Sequence, residues 1–305
     1  MKALALVRGW AVTARACLLL LLVCGFTAVP VARAAGPVVW QPLPAQGHAE
    51  GLALRAWWSA APAEGRRPVV VMLHGCGGML GNDDQPSARM KAYARLLNAQ
   101  GWHTLAVDSL TPRGEKELCT QRNGTRQVTM TQRRADTLAA LHWVAAQPGV
   151  DPQRLALLGW SNGGSALLAS TNLNHPAVAR ARTQLAQMGG SLKLAVAFYP
   201  GCAAQARLGY QPWSPTLLLL GLADDWTPAQ ECLPLDSVPQ VRLQAWEGAH
   251  HGFDGTAAVV HRKDVPNGAH PGQGVHVGGH PVARQASQDA LVNALTEAFA
   301  DTNRP

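Results

Sequence analysis

No run of five or more Lys or Arg residues occurs in this 305-residue chain. Nucleic-acid recognition starts from a dense basic footprint, so that class of function falls away. No Cys-x-x-Cys spacing occurs either, which removes the common zinc sites and a thioredoxin-like redox pair. No acidic residue precedes Glu50, and this skews the formal net charge to +7. Lys2, Arg8, Arg15 and Arg33 account for the excess, and without residues 1–34 the balance falls to about +3. No internal repeat or linker-like composition interrupts residues 35–305, which read as a single domain. With 47% apolar residues, that length can bury a large core.

The acid-free N-terminus reads as an export signal over 1–34. A basic region ends at Arg15, an apolar stretch runs from Ala16 to Val29, and Ala32-Arg33-Ala34 offers the small-x-small cleavage pattern. The apolar stretch is shorter than the roughly twenty residues of a membrane span. The expected mature protein is therefore periplasmic or secreted and carries no membrane span, the alternative being an uncleaved anchor. Cys17 and Cys24 leave with the signal, and Cys76, Cys119, Cys202 and Cys232 remain. An even set of cysteines in an oxidising compartment points to disulfides, with three pairings open.

Residues 35–49 read as an extended lead-in, and Gly51–Ser59 alternates like a half-buried strand. Val69–Leu73 and Leu155–Leu158 are apolar throughout, the pattern of strands covered on both faces, and Leu192–Tyr199 and Thr216–Leu220 read as two more buried strands. Trp102–Val107 and Val241–Trp246 complete the strands. Helices are expected near 87–100, after Gly124 to Gln147, after Ser165, and at the C-terminus through Leu291 and Leu295. Residues 173–190 carry no clear pattern, and 254–284 read as a Gly/His-rich insertion. Strands alternating with helices define an α/β class with a mostly parallel sheet and helices on both faces.

The stretch that organises the chain is Gly159-Trp160-Ser161-Asn162-Gly163-Gly164. A Gly-x-Ser-x-Gly between a buried strand and a helix is a nucleophile elbow, which lifts the serine hydroxyl above the sheet. Acyl transfer also needs a base and an acid to orient it. Asp224 or Asp225 and then His250 or His251 follow, each just beyond the C-terminal end of a predicted buried strand. Open α/β sheets bind their ligands along that edge.

With these residues the chain resembles the α/β-hydrolase fold, and within it the dienelactone-hydrolase-like branch, from about Leu52 to Phe299. The likeness rests on Gly159-x-Ser161-x-Gly163, Asp224-Asp225-Trp226-Thr227-Pro228 and His251-Gly252-Phe253. It implies Ser161 as nucleophile, Asp224 as acid and His251 as base, with the backbone amides of Cys76 and Asn162 as oxyanion hole. Ser161 stands where the enzyme that names the branch has cysteine, and His74-Gly75-Cys76-Gly77-Gly78 looks more like the loop of secreted esterases. The resemblance further implies the pairs Cys76–Cys119 and Cys202–Cys232, a small-molecule ester as substrate, and no metal or organic cofactor.

Trp160, Tyr199 and Trp226 flank these positions and are candidate pocket walls, although aromatics pack cores at least as often. Arg113 could pair with a substrate carboxylate or, in the favoured alternative, form an intramolecular ion pair. His74 reads as a brace for the turn after its strand. His261, His270, His276 and His280 fit no ligand spacing and read as a solvated loop. Two competing functions share these residues: a serine peptidase of the prolyl-oligopeptidase kind, and a silent binding protein on the same fold.

Overall fold

A computed structural model describes residues 36–40 and 52–300 of the chain, and the expected signal segment 1–34 lies outside them. The elements are, in order, β1 (Gly36–Trp40), β2 (Leu54–Ser59), β3 (Arg67–Leu73), α1 (Ala88–Asn98), β4 (His103–Asp108), α2 (Met130–Ala145), β5 (Val150–Trp160) and α3 (Asn162–Thr171). Then come α4 (Pro176–Gln187), β6 (Leu192–Phe198), α5 (Ala203–Arg207), β7 (Thr216–Gly221), β8 (Val241–Trp246), β9 (Val260–Arg262), β10 (Val275–Val277) and α6 (Pro281–Phe299).

Eight strands form one sheet in the order β1-β2-β4-β3-β5-β6-β7-β8. The pairings β1–β2 and β2–β4 are antiparallel, and all others are parallel. Strand parity divides the core in two. Val69, Val71 and Leu73 of β3 join Leu141 and Val144 of α2 and Ala166 and Leu167 of α3 on one face. Val70 and Met72 join Met90, Tyr93 and Leu97 of α1 and Leu291 and Leu295 of α6 on the other. This two-sided cover explains the unbroken apolar runs within the central strands, Val69–Leu73 of β3 and Leu155–Leu158 of β5.

Helix α2 begins at Met130, because Thr129 and Gln132 form a capping box there. Within 173–190 the chain forms α4, started by Pro176 and buried through Val178, Ala181 and Leu185. The lead-in contributes an edge strand, β1. The insertion contains a short antiparallel hairpin, β9–β10, and α6 starts directly after it. Two disulfides close, Cys76–Cys119 and Cys202–Cys232, the pairing that the resemblance implies. No helix among the described residues is long and apolar enough to cross a membrane.

Candidate active site

The turn from β5 into α3 is closed by two glycines. A Cβ on Gly163 would sit 2.0 Å from the carbonyl oxygen of Leu73, and one on Gly159 would sit 2.5 Å from that of Gly163. Helix α3 therefore packs directly on the sheet backbone, and Ser161 absorbs the reversal with φ 53° and ψ −120°. A non-glycine residue held in this region stores strain, and here it presents the hydroxyl at the sheet rim.

The Ser161 hydroxyl lies 2.9 Å from Nε2 of His251, and Nδ1 of His251 lies 2.8 Å from Oδ2 of Asp224. The three residues come from the ends of β5, β7 and β8, and each is less than 10% exposed. Asp224 is itself anchored. Its Oδ1 accepts the amides of Trp226 (2.8 Å) and Thr227 (2.9 Å), and its Oδ2 accepts the Thr227 hydroxyl (3.0 Å). The imidazole is held between the rings of Tyr199 and Trp226, each with its centroid 4.6 Å away. Thus the structure brings Ser161, Asp224 and His251 together, rather than Asp225 or His250.

Asp225, partly exposed, serves a different tie. It accepts the amide and Nδ1 of His276 on β10, at 2.8 and 2.7 Å, while its own carbonyl accepts the amide of Ala269. Hydrogen bonding from His276 holds the Asp225 carboxyl below its usual range, against the opposing effect of partial burial. The insertion is thereby pinned to the acid loop. Asn267 continues the seam, accepting from the amide of Asn123 and donating to the carbonyl of Gln121. The rings of His250 and His261 flank His276 at 5.4 and 4.7 Å. Among the described residues no group of three or more His, Cys, Asp or Glu is placed to hold a metal ion.

Next to the elbow opens a cavity of about 550 Å³, lined in part by Cys76, Asn123, Arg126, Asn162, Trp226 and Asn267, with Ser161 and His251 set behind its wall rather than in it. Asn162 is the first residue of α3, so its amide has no intrahelical acceptor. Cys76 donates no backbone hydrogen bond among the described residues, although its carbonyl accepts from Leu118. Both implied oxyanion donors thus border the cavity with N–H groups that find no acceptor among the described residues.

Of the other pocket candidates, only Trp226 lines this space. Trp160 shares strand parity with Ala156 and Leu158, so it points into the core against Tyr93 and Phe198. Tyr199 backs the imidazole and donates its hydroxyl to the buried Asp254, which Arg89 grips with two hydrogen bonds. Arg113 is held by Asp136 at 2.8 and 2.9 Å and by the carbonyl of Ser109, so it is an internal pair and not a substrate contact.

His74 braces the loop after β3. Its Nε2 accepts the amide of Ser109 at 3.3 Å, leaving Nδ1–H to donate to the carbonyl of Gly75 at 2.7 Å. Burial, helped by the charge of Arg133, lowers its pKa to about 3. The unfolded chain takes up this proton near pH 6.5 and the folded chain does not. Stability therefore falls as pH drops from about 6.5 towards 3, by a little over 1 kcal/mol per pH unit from this residue. Urea unfolding of His74→Gln between pH 4 and 6 should show a pH slope shallower by about one proton, and an unchanged slope would contradict the assignment.

Matched solved structures include a dienelactone hydrolase-like promiscuous phosphotriesterase, P91, from metagenomic libraries, at TM-score 0.58 and 19% identity, covering 88% of this chain and 100% of that one. The chain has the α/β-hydrolase fold. Esterase 2 of Thermogutta terrifontis, phosphorylated by paraoxon, matches at TM-score 0.57 and 18% identity over 90% of this chain and 97% of its own. The same esterase with propionate bound matches at TM-score 0.54 and 17% identity, covering 90% and 98%. A model of the prolyl oligopeptidase family matches residues 111–183, the part of the hydrolase fold that carries α2, β5 and the elbow. The search of curated proteins returned no match.

Proposed function

We propose that the protein is an exported serine hydrolase that cleaves carboxylic esters of small molecules through an acyl-enzyme. The observation that carries this reading is the unbroken hydrogen-bond chain from Ser161 through His251 to Asp224, buried at the sheet rim beside a cavity of small-molecule size. In this reading His251 Nε2 takes the hydroxyl proton as Ser161 Oγ attacks the ester carbonyl. Asp224 keeps the Nδ1 proton in place and stabilises the imidazolium. The amides of Cys76 and Asn162 receive the developing oxyanion, each donor being worth about 3 kcal/mol. His251 then gives its proton to the departing alkoxide, and it later activates the water that releases the acid. Every proton and bond in this sequence is handled by named residues, so the reading calls on no cofactor. Export is supported by the two disulfides together with the signal pattern at 1–34.

The match to the prolyl oligopeptidase family favours a second reading, a peptidase with the same three residues. A fluorophosphonate probe followed by paired ester and amide substrates separates the possibilities. Stoichiometric labelling with turnover of esters but not of the matching amides is expected. Absence of label would refute a serine hydrolase, and faster amide turnover would favour the peptidase.

A further inference from the structure

Helix α2 carries a guanidinium into the interior beside the elbow. Arg133 is 1% exposed, and its Nη1 donates to Oδ1 of the Asn162 side chain while its Nη2 donates to the carbonyl of His74 at 2.7 Å. Its Nε has no hydrogen-bond partner among the described residues. Asp136 and Asp108 supply the nearby negative charge, although Asp136 is already gripped by Arg113 and Asp108 by the amides of Leu110 and Thr111. Burial lowers the Arg133 pKa to about 10, so the side chain stays charged at neutral pH.

Burying a cation costs several kcal/mol unless its surroundings compensate. The neighbouring inward positions of the helix, Ala140, Leu141 and Val144, show that apolar side chains fill this interface well. What an apolar residue would not do is bond two different segments at once. One segment is the elbow, which holds Asn162. The other is the loop after β3, where the bonded carbonyl lies two residues before Cys76. These segments carry the two amides assigned above to the oxyanion.

We propose that Arg133 is a positioning residue that clamps the two halves of the oxyanion hole in register. This inference rests on the acyl-transfer reading of the site. Amide donors stabilise a transition state only when aimed before the charge appears, and a displacement near 1 Å costs about a hundredfold in rate. The Asn162 side chain serves as the handle by which the clamp holds the Asn162 backbone. The fixed positive charge adds a favourable field at the same spot.

The test compares full-length Arg133→Met and Asn162→Ala, and the two combined, on p-nitrophenyl acetate. Active sites are counted by end-point fluorophosphonate labelling, so that unfolded molecules leave the denominator. Arg133→Met should lower kcat per labelled site about ten- to a hundredfold with KM within about twofold, the mark of an interaction realised in the transition state. Asn162→Ala keeps its backbone amide and should still lower kcat at least about threefold. The combined variant should be no slower than Arg133→Met, because the Asn162 side chain acts through the guanidinium. A lower melting temperature with unchanged kcat per labelled site would overturn the proposal, as would multiplicative losses in the combined variant. If Arg133→Met does not fold, Asn162→Ala decides alone, and an unchanged kcat rejects the clamp. Failure of the underlying reading looks different, because the wild-type protein would then neither label nor turn over ester.

Discussion

Ser161→Ala lowers ester turnover about a million-fold, the loss expected when the nucleophile of a coupled triad is removed. The fold should survive. The substitution keeps the Cβ that already occupies the strained backbone at φ 53°, and it deletes only the hydroxyl and its 2.9 Å bond to His251. The change in stability is therefore about 1 kcal/mol or less. Steady-state kinetics, with mass spectrometry for a trapped acyl adduct, checks both parts. Turnover above a thousandth of wild type, or an adduct on another residue, would move the nucleophile elsewhere.

Asp224→Asn should cost about ten thousandfold in kcat without loss of the fold. The reason lies in the anchoring of this side chain. Two backbone amides, of Trp226 and Thr227, point at Oδ1, so the carbonyl oxygen of the new amide must take that place. Its NH2 group then faces His251 Nδ1. The imidazole can answer only by carrying its proton on Nε2, where it no longer accepts the proton of Ser161. Asp225→Asn is the matched control. It weakens the tie to His276 and leaves the imidazole's partner untouched, so any effect should fall on KM more than on kcat. A kcat loss of the same size in both variants would sink this account.

The central strands and the elbow were legible in the sequence because they obey strong local rules. Val69–Leu73, Leu155–Leu158 and Leu217–Leu220 are apolar at successive positions since helices cover both faces, and their shortness between turn residues argues for strand over buried helix. The chain order of Ser161, Asp224 and His251 was equally visible. What stayed hidden depends on partners distant along the chain. Asp225 finds His276 across 51 residues, and Asn123 meets Asn267 across 144, within stretches that have no periodicity to betray their pairing. Trp160 reads from sequence as pocket wall or core, and strand parity with Ala156 and Leu158 is enough to send it to the core. Arg133 had a signal too: it stands four residues before Thr137 and eight before Leu141, on the stripe that α2 turns inward. A charge on an apolar stripe invites a search for what it bonds.

Neighbouring carboxylates on one loop have divided the labour of this site. In the proposed mechanism Asp224 governs the proton, whereas Asp225 fastens the segment that brings Asn267 and Gly268 to the cavity wall. The proposed mechanism therefore assigns choice of substrate and rate of bond cleavage to separate stretches of chain. Redrawing residues 262–277 around the Asp225 tether should retune which esters enter while the cutting machinery keeps its pace. That modularity makes the Gly/His-rich insertion the natural place to diversify in a search for new selectivity.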